Sequence, residues 1–466
     1  MNPSIFKAYD IRGLYPSEIN SETIQTIVKA IYSFFVTDIQ RENLQVVLGR
    51  DMRLSSPELF EKAKDALVSL GAQVIDIGLV PTTAVYYAVL KGNYDVGIQI
   101  SASHNPPQYN GVKLVKRDGT KLIKIGKTTG MDEVKRRAVE GDFVPSAENG
   151  AVAQYPNAIA DEVENALATV RPTHIRPLKV VADPANAMGA TYIAELFKKV
   201  PGELIPINFN LDGNFPAHKP NPLEFETLVQ LQQKVREEKA DLGIATDGDG
   251  DRVFFIDEKG QILSATITSA LIAKEILTKK PGEKILVDVR YTRNVQAVVE
   301  KYQGTTILSQ VGHALITKLL NDEGAAFAGE SSGHYYFRET GGGESAVRVI
   351  VTLLELIGAE QKPLSELVRD VQSSIESGEI NFVVNEGTTA ADIIQSVLSS
   401  YPDGEVSRQD GVSIDYPDWR VNIRSSNTEP LLRLNVEGQS QEIVDTKVEE
   451  LKSQIIAAGS QPESHD

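Results

Sequence analysis

Three aspartates at alternate positions, Asp247, Asp249 and Asp251, lie in the run ATDGDGDRV. A hard divalent cation takes oxygen ligands that converge at roughly 2.0–2.6 Å. Gly248 and Gly250 stand between the aspartates and leave the backbone free to turn all three carboxylates towards one point. The spacing therefore predicts a site for a divalent metal ion.

Two other structures are compatible with clustered aspartate and glycine. An EF-hand calcium loop starting at Asp247 would place its bidentate ligand at Glu258, but it needs glycine where Arg252 stands. The flanking runs ADLGIAT and VFFID are also typical of strands rather than of the helices that an EF-hand requires. The calcium loop is therefore disfavoured, whereas an ordinary solvated turn stays open as an alternative.

A second candidate is the run SASHNPPQYNGVK, in which Ser103 follows a strand pattern. A serine at such a strand end can act as a nucleophile. Its neighbour His104 cannot easily take the base position of a hydrolase triad, which a residue from elsewhere fills through space. The hydrolase interpretation is therefore weak, and a structural turn remains the alternative. Combined with a metal held by the aspartates, a phosphorylated Ser103 favours phosphoryl transfer.

Two further polar loops carry groups suited to a phosphorylated sugar. The run AGESSGHYYF offers Glu330, Ser332 and His334, whose acceptor, hydroxyl and ring suit the hydroxyls of a sugar. The run RSSNTEPLLR combines a guanidinium, hydroxyls and backbone amides, a set typical of phosphate binding. Its members are Arg424, Ser426, Asn427 and Thr428. Both loops could instead be ordinary turns. Candidate cations near the start of the chain are Lys7, Arg12, Arg50 and Arg53.

The loops follow a repeated pattern of elements. Strand patterns at 45–51, 179–186 and 284–291 are each followed by helical periodicity, and then by a second strand that ends in a candidate loop. In open α/β sheets, ligands bind beyond the carboxyl ends of strands. We therefore predict three similar α/β domains with mixed sheets around one central cleft, although separate clefts remain possible from spacing alone.

The last ninety residues change character. Short strand patterns and a final helical stripe at Val444, Val448, Leu451 and Ile455 predict a C-terminal α+β domain. The four predicted domains are 1–150 with the serine loop, 151–257 with the metal loop, 258–375 with the sugar loop, and 376–466 with the phosphate loop.

Composition limits the classes of function. The chain has 466 residues, of which 41% are hydrophobic and 24% charged, as in soluble globular proteins. A net charge of −17 opposes nucleic-acid binding, which needs a basic face. The absence of cysteine excludes disulfides and thiolate chemistry. Because the first residues lack a signal-peptide pattern and no apolar run approaches about 18 residues, we expect a cytoplasmic protein without membrane segments.

Together the four motifs resemble the α-D-phosphohexomutase superfamily, and in particular its phosphomannomutase/phosphoglucomutase branch. The similarity runs in family order from YDIRG to RSSNT and covers nearly the whole chain. The resemblance implies a mutase that interconverts hexose 1-phosphate and hexose 6-phosphate, with mannose or glucose as the sugar. It also implies a phosphoserine, Mg²⁺, a hexose 1,6-bisphosphate activator and intermediate, small sugar phosphates as partners, and a monomer or homodimer.

The resemblance also implies residue roles. Ser103 becomes the phosphoserine and the fourth metal ligand, beside the three aspartates. Lys113 and Arg12 act near proton transfer, and neighbouring cations such as Arg12 are expected to depress the pKa of Lys113. His104 and Arg252 support the phosphoserine. The implied substrate-binding residues are Tyr9, Arg290, His313, Glu330, Ser332, His334, Arg424, Ser426, Asn427 and Thr428, and His218 and Asn221 also fall on family positions.

Some residues depart from the family pattern. Arg290 stands where related mutases often have lysine, which changes the donor geometry. The preferred sugar is therefore left open. Phosphoglucosamine mutase and a non-catalytic sugar-phosphate sensor remain the alternatives.

Overall fold

The structure, a computed structural model, describes residues 1–145, 148–426 and 431–463. These residues form four separate sheets, each flanked by helices. Each helix in the described ranges is too short or too polar to cross a bilayer. The predicted class, three α/β domains followed by an α+β domain, is confirmed.

The first domain is a mixed seven-stranded sheet with helices on both faces. Its strands are β1 (Ile11–Leu14), β2 (Gln45–Arg50), β3 (Gln73–Leu79), β4 (Val96–Ile100), β5 (Tyr109–Asp118), β6 (Lys121–Lys124) and β7 (Ala151–Gln154). Its helices are α1 (Ser21–Ile39), α2 (Ser56–Ser69), α3 (Thr82–Lys91) and α4 (Met131–Glu140). The strand order is β1-β5-β4-β2-β3-β7, with β6 beside β5. Because side chains alternate along a strand, Val46 and Leu48 pack into the core under α1 and α2, whereas Val47 packs against α3.

The second domain has a four-stranded sheet in the order β11-β10-β8-β9. Its elements are α5 (Ala158–Val170), β8 (Leu178–Asp183), α6 (Gly189–Phe197), β9 (Gly202–Pro206), α7 (Val229–Glu238), β10 (Leu242–Thr246) and β11 (Val253–Asp257). The strand β10 is buried throughout and ends directly before the aspartate run. The predicted metal loop is therefore anchored in the domain core.

The third domain repeats this plan in the order β13-β12-β14-β15. Its elements are α8 (Ala265–Lys279), β12 (Lys284–Asp288), α9 (Arg293–Lys301), β13 (Thr305–Ser309), α10 (His313–Glu323), β14 (Phe327–Gly329), β15 (Tyr335–Phe337), α11 (Ala346–Glu360) and α12 (Leu364–Val371). In all three domains the candidate loop joins a strand parallel to its neighbour to an antiparallel return strand: β4–β5, β10–β11 and β14–β15.

The fourth domain is a largely antiparallel sheet with two helices. Its elements are β16 (Ile375–Glu376), β17 (Ile380–Val384), α13 (Ala390–Ser399), β18 (Glu405–Ser407), β19 (Val412–Asp415), β20 (Trp419–Ser425), β21 (Leu431–Gly438), α14 (Gln441–Ala457) and β22 (Ser460–Pro462). The predicted final stripe on α14 is buried in the core of this domain.

The domains are not equally independent. One continuous hydrophobic core runs through the second and third domains, whereas the first and fourth have cores of their own. The strand β7 pairs with β3, so the first sheet extends to Gln154, four residues past the predicted boundary. Similarly, Ile375 in β16 pairs with the fourth sheet. Strand pairing fixes these limits, and composition does not reveal it.

Candidate active site

The serine loop is held by a buried guanidinium. Ser103 lies just beyond β4 with a φ of 50°, a left-handed conformation that is uncommon for a residue other than glycine. Arg53 has no exposed surface. It donates hydrogen bonds of 2.6–3.0 Å to the carbonyl oxygens of Ser103, Asn105, Pro106 and Tyr109. Since one planar group binds four carbonyls, Arg53 fixes the shape of the loop, a role that the sequence does not reveal.

The metal loop meets Ser103 directly. The Ser103 hydroxyl donates to Asp247 Oδ2 at 2.8 Å. Ligand oxygens of Asp247, Asp249 and Asp251 all lie within 4.8 Å of one another. Oδ1 of Asp249 is buried without a hydrogen-bond partner among the described residues, and Oδ1 of Asp251 has His334 Nε2 at 3.3 Å. Burial beside the other two carboxylates raises the pKa of Asp247 to about 7. Unpaired buried carboxylate oxygens fit a hard divalent cation such as Mg²⁺.

The side chain of His104 contacts the side chain of Ser103. Its Nδ1 is 3.1 Å from Ser103 Oγ. In the described part of the chain, no carboxylate contacts the other ring nitrogen, so no hydrolase triad is formed. Desolvation, helped by Arg252 and Arg12, holds the pKa of His104 well below its usual range. Because the Ser103 proton is donated to Asp247, a neutral His104 with its proton on Nδ1 donates to Ser103 Oγ.

Lys113 forms ion pairs with two aspartates of the metal loop. Its Nζ lies 2.5 Å from Asp249 Oδ2 and 2.6 Å from Asp251 Oδ2. Burial alone would lower the pKa of Lys113, but the two carboxylates raise it above its usual value. The expectation of a depressed pKa is therefore wrong, because the ion pairs outweigh the repulsion from Arg12. Arg12 itself pairs with Asp10 at 2.7 Å. It lines one cavity together with Ser103 and Lys113.

His334 joins the metal loop to the sugar loop. Its Nε2 lies 3.3 Å from Asp251 Oδ1, and its Nδ1 lies 3.1 Å from Glu330 Oε2. The backbones of Arg252 and His334 also pair as a β-bridge. Although burial alone would lower it, the Asp251 carboxylate raises the pKa of His334 to about 9. The first three candidate loops therefore share one cleft, as predicted.

The sugar loop is braced by its own strands. Ser332 Oγ lies 2.8 Å from His334 Nδ1, and the Tyr336 hydroxyl donates to Glu330 Oε2 at 2.8 Å. Burial alone would raise the pKa of Glu330, but His334 and Arg290 hold it well below its usual range. Glu330 is therefore a charged hydrogen-bond acceptor.

The phosphate loop reaches the sugar loop through an acidic residue. Arg424 Nη2 lies 3.0 Å from Glu379 Oε2, and Arg290 Nη1 lies 3.9 Å from the same oxygen. Arg290 also approaches Glu330 Oε1 at 3.5 Å. Arg424 therefore faces the same side of the molecule as the other loops. The backbone amide of Ser426 donates to Leu431 at 2.8 Å, whereas Asn427 and Thr428 lie outside the described residues.

The remaining predicted residues divide into two groups. His313 lines the cavity with Ser103, and its ring lies 5.3 Å from that of Tyr9. The other residues of this set do not line that cavity. His218 Nε2 is 3.0 Å from Asp183 Oδ2, and Asn221 donates to Glu224 at 3.1 Å. Lys7 is exposed, and Arg50 donates to the carbonyl of Asp51.

Sequence reasoning missed several residues of this cleft. Thr82, at the start of α3, donates its backbone amide to the Asp249 carbonyl at 3.0 Å. Asp288, at the end of β12, accepts from Arg290 Nε at 3.0 Å and from the Ser331 amide at 2.6 Å. Asp288 could have been predicted from the sequence, because it is a carboxylate directly at a strand end. Glu379 and Glu344 carry no such signal.

Comparison with known proteins agrees with this architecture. Four domain families described as phosphoglucomutase/phosphomannomutase domains I, II, III and C-terminal match residues 3–135, 153–260, 266–374 and 379–454. The chain is 37% identical to a phosphomannomutase of Vibrio cholerae, over 97% of this chain and 98% of that protein. It is 35% identical to a phosphomannomutase/phosphoglucomutase of Pseudomonas aeruginosa, over 98% of this chain and 96% of that protein.

A solved structure shows the same arrangement of domains. The crystal structure of a phosphoglucomutase/phosphomannomutase family protein from Burkholderia thailandensis has a TM-score of 0.88 and 31% identity, and covers 99% of this chain and 100% of that one. All four domain types occur in order, and similarity extends over nearly the full length of each relative. The chain therefore belongs to the phosphoglucomutase/phosphomannomutase family.

Proposed function

We propose that this protein is a phosphohexomutase that interconverts hexose 1-phosphate and hexose 6-phosphate, with mannose and/or glucose as the sugar. The observation that carries the proposal is the contact between Ser103 Oγ and Asp247 Oδ2 at 2.8 Å. It joins a nucleophile from the first domain to a metal-binding carboxylate from the second. Members of the same family with mutase names support the reaction class.

The proposed reaction begins with Ser103 as a phosphoserine. Its phosphorus–oxygen bond breaks as a new bond forms to the 6-hydroxyl of a hexose 1-phosphate, and the proton of that hydroxyl ends on the released Ser103 oxygen. The hexose 1,6-bisphosphate then turns end for end. The phosphoryl group on carbon 1 returns to Ser103, and hexose 6-phosphate leaves. One serine thereby serves both half-reactions, and the reverse direction follows the same steps.

The residues around Ser103 supply the electrostatics. Asp247, Asp249 and Asp251, with Ser103, would hold Mg²⁺, which neutralises charge on a phosphoryl group when bound. Lys113 stays protonated and stabilises the phosphoryl oxygens as a fixed cation. His104 Nδ1 donates a hydrogen bond to Ser103 Oγ when the hydroxyl is free.

The other two loops hold the sugar. Glu330, Ser332 and His334 accept and donate hydrogen bonds to its hydroxyls. Arg424 and Ser426, with Asn427 and Thr428, hold the phosphate that is not reacting. Arg290, linked to both loops, couples the two parts of the site.

A coupled assay of the purified protein tests the proposal. Glucose 1-phosphate, mannose 1-phosphate and glucosamine 1-phosphate are compared with Mg²⁺ and glucose 1,6-bisphosphate present. Activity on either of the first two supports the proposal, whereas preference for the third supports phosphoglucosamine mutase. No turnover with any sugar, despite tight binding, would support a sensor.

Ser103→Ala is the matching variant. It should lower kcat by a factor of about 10³ or more, because the group that carries the phosphoryl is lost, while sugar-phosphate binding is retained. Full activity of this variant with the bisphosphate present would refute the role of Ser103.

A further inference from the structure

The catalytic cavity contains a buried ion pair that the proposed chemistry does not use. Lys124, at the end of β6, and Glu344, two residues before α11, are 3% and 2% exposed and pair directly. Lys124 Nζ lies 5.0 Å from the ring centroids of both Tyr86 and Tyr336. Two aromatic faces and a carboxylate hold the ammonium in one place. Glu344 Oε1 therefore has a fixed partner.

The backbone around Glu344 is equally fixed. Glu344 forms a β-bridge with Tyr336, whose hydroxyl binds Glu330 in the sugar loop. The neighbouring Gly341 carbonyl accepts from the Leu122 amide of β6 at 2.8 Å. The carboxylate of Glu344 is therefore held from both the first and the third domain.

The other carboxylate oxygen of Glu344, Oε2, has no partner. It is buried and makes no hydrogen bond to any described residue. A buried acceptor without a donor is unfavourable. Glu344 lines the same cavity as Ser103 and Lys113, and one of its carboxylate oxygens lies within 4.8 Å of a carboxylate oxygen of Asp251 and a ring nitrogen of His334. Glu344 thus lies at the end of the cleft where the serine lies.

Charge limits what can occupy this position. A phosphate oxygen would be repelled by Glu344 and Asp251, which are both carboxylates. A further cation is not needed, because Lys124 already neutralises Glu344. A neutral hydroxyl donor satisfies the acceptor without adding charge. In a site for sugar phosphates, that donor is a hydroxyl of the sugar.

Building on the proposed function, we propose that Glu344 accepts a hydrogen bond from the sugar hydroxyl beside the reacting carbon. When carbon 1 of a hexose 6-phosphate faces Ser103, this is the 2-hydroxyl. Glucose and mannose differ only in configuration at carbon 2. A fixed acceptor there therefore binds one of the two sugars more tightly than the other. Glu344 is then a specificity-determining residue, and Lys124 is a positioning residue that acts through it.

The competing explanation is that Glu344 is only the counterion of Lys124. Two variants separate the explanations. Glu344→Gln removes the charged acceptor. The double variant Lys124→Met with Glu344→Met removes both charges, and such apolar replacements of a buried pair often preserve stability. Glu339→Gln, an exposed change on the same segment, is the control.

Binding is measured by calorimetry on the dephosphorylated protein with glucose 6-phosphate, mannose 6-phosphate and 2-deoxyglucose 6-phosphate. Glu344→Gln should weaken binding of at least one of the two epimers about tenfold or more, and should change binding of the 2-deoxy sugar less than twofold. The double variant should fold, as thermal unfolding reports, and should show the same selective loss. The control should match the wild type.

The proposal would be overturned if Glu344→Gln lost affinity equally for all three sugars, or lost affinity for none of them. Normal affinity in the double variant would also overturn it. If Glu344→Gln does not fold, the double variant alone decides. If the wild-type protein binds none of the three sugars, the proposed function fails instead, so the two failures are distinguishable.

Discussion

The carbonyl oxygen of Ser103 lies directly against Gly248, such that a Cβ added at Gly248 would be 2.2 Å from it. Arg53 donates to this same carbonyl at 2.7 Å. The serine loop of the first domain and the metal loop of the second are thus in backbone contact. This contact, together with the hydrogen bond from Ser103 to Asp247, brings the two loops together in one candidate site.

Gly248→Ala should separate the two loops, because the obstructing atom is backbone and cannot rotate away. We expect kcat to fall at least about tenfold and the free energy of unfolding to fall by about 1–3 kcal/mol. Gly119→Ala is the control, since its φ is 60° but an added Cβ meets nothing within 4 Å. Gly119→Ala should lower the free energy of unfolding and leave kcat unchanged. Unchanged kcat in Gly248→Ala would show that this close approach is dispensable.

Arg53→Lys should disturb the serine loop although the charge is kept. Lysine has no planar fork and cannot bind four carbonyls at once. We expect kcat and the phosphorylated fraction of Ser103, read by mass spectrometry, both to fall about tenfold. Arg117→Lys is matched to it, because Arg117 donates to three backbone carbonyls away from the cleft. Equal effects of the two variants would argue against a role in positioning Ser103.

Asp249→Asn should weaken the metal site. Removing one of three charged ligands lowers affinity, so the variant needs more Mg²⁺ for half-maximal activity. A chelator should abolish wild-type activity, Mg²⁺ should restore it, and Mg²⁺ should raise the wild-type melting temperature. The exposed Asp132→Asn serves for comparison. Activity that survives exhaustive chelation would rule out the metal role.

Arg424→Ala should raise KM for hexose 1-phosphate about tenfold or more, because a charge-assisted contact to phosphate is worth roughly 1.5–3 kcal/mol. Burial and Arg290 lower the pKa of Arg424 from its usual value, and an anion relieves both. Arg408→Ala, an exposed change in the same domain, should leave KM unchanged. If KM and kcat of Arg424→Ala equal those of the wild type, the phosphate is held elsewhere.

Glu162 should make stability depend on pH. Burial raises its pKa from 4.5 to about 8, so the folded state keeps a proton that the unfolded chain releases above pH 4.5. The resulting stabilisation is complete below pH 4.5 and is lost as the pH rises through 8. Relative to Glu162→Gln, the wild type should therefore lose stability across this window, by on the order of 2–4 kcal/mol.

Denaturant unfolding at several pH values measures this difference. Glu164→Gln, on the same helix and exposed, is the control and should follow the wild type. A constant difference between Glu162→Gln and the wild type from pH 5 to pH 8 would mean that Glu162 is charged in the folded protein.

Much of the fold was predictable because its signals are local. Strand and helix periodicity, with glycine at turns, marked three α/β units and a different final domain. The Asp247 run predicted a candidate metal site because alternate carboxylates need no distant partner to be recognised. The same holds for Ser103 at a strand end. Domain limits near 150 and 375 were less certain, because β7 and β16 acquire their sheet only by pairing with distant strands.

The charge state of Lys113 shows where sequence reasoning failed. Cations such as Arg12 were expected to depress the pKa of Lys113, whereas the structure surrounds Lys113 with carboxylates from the metal loop, 136 and 138 residues away. Coulombic interaction depends on distance in space, and it changes sign with the partner that the fold provides.

The sequence by itself determined which groups the chain carries at its strand ends: a serine, three aspartates, and two loops whose residue types suit a sugar and a phosphate. Only the tertiary structure decided that they form one cleft, that Arg53 shapes the serine loop, and that Glu344 keeps an unpaired oxygen there. Local residue types follow from short-range patterns, but burial, unpaired polar atoms and pKa shifts arise only when distant segments exclude water together.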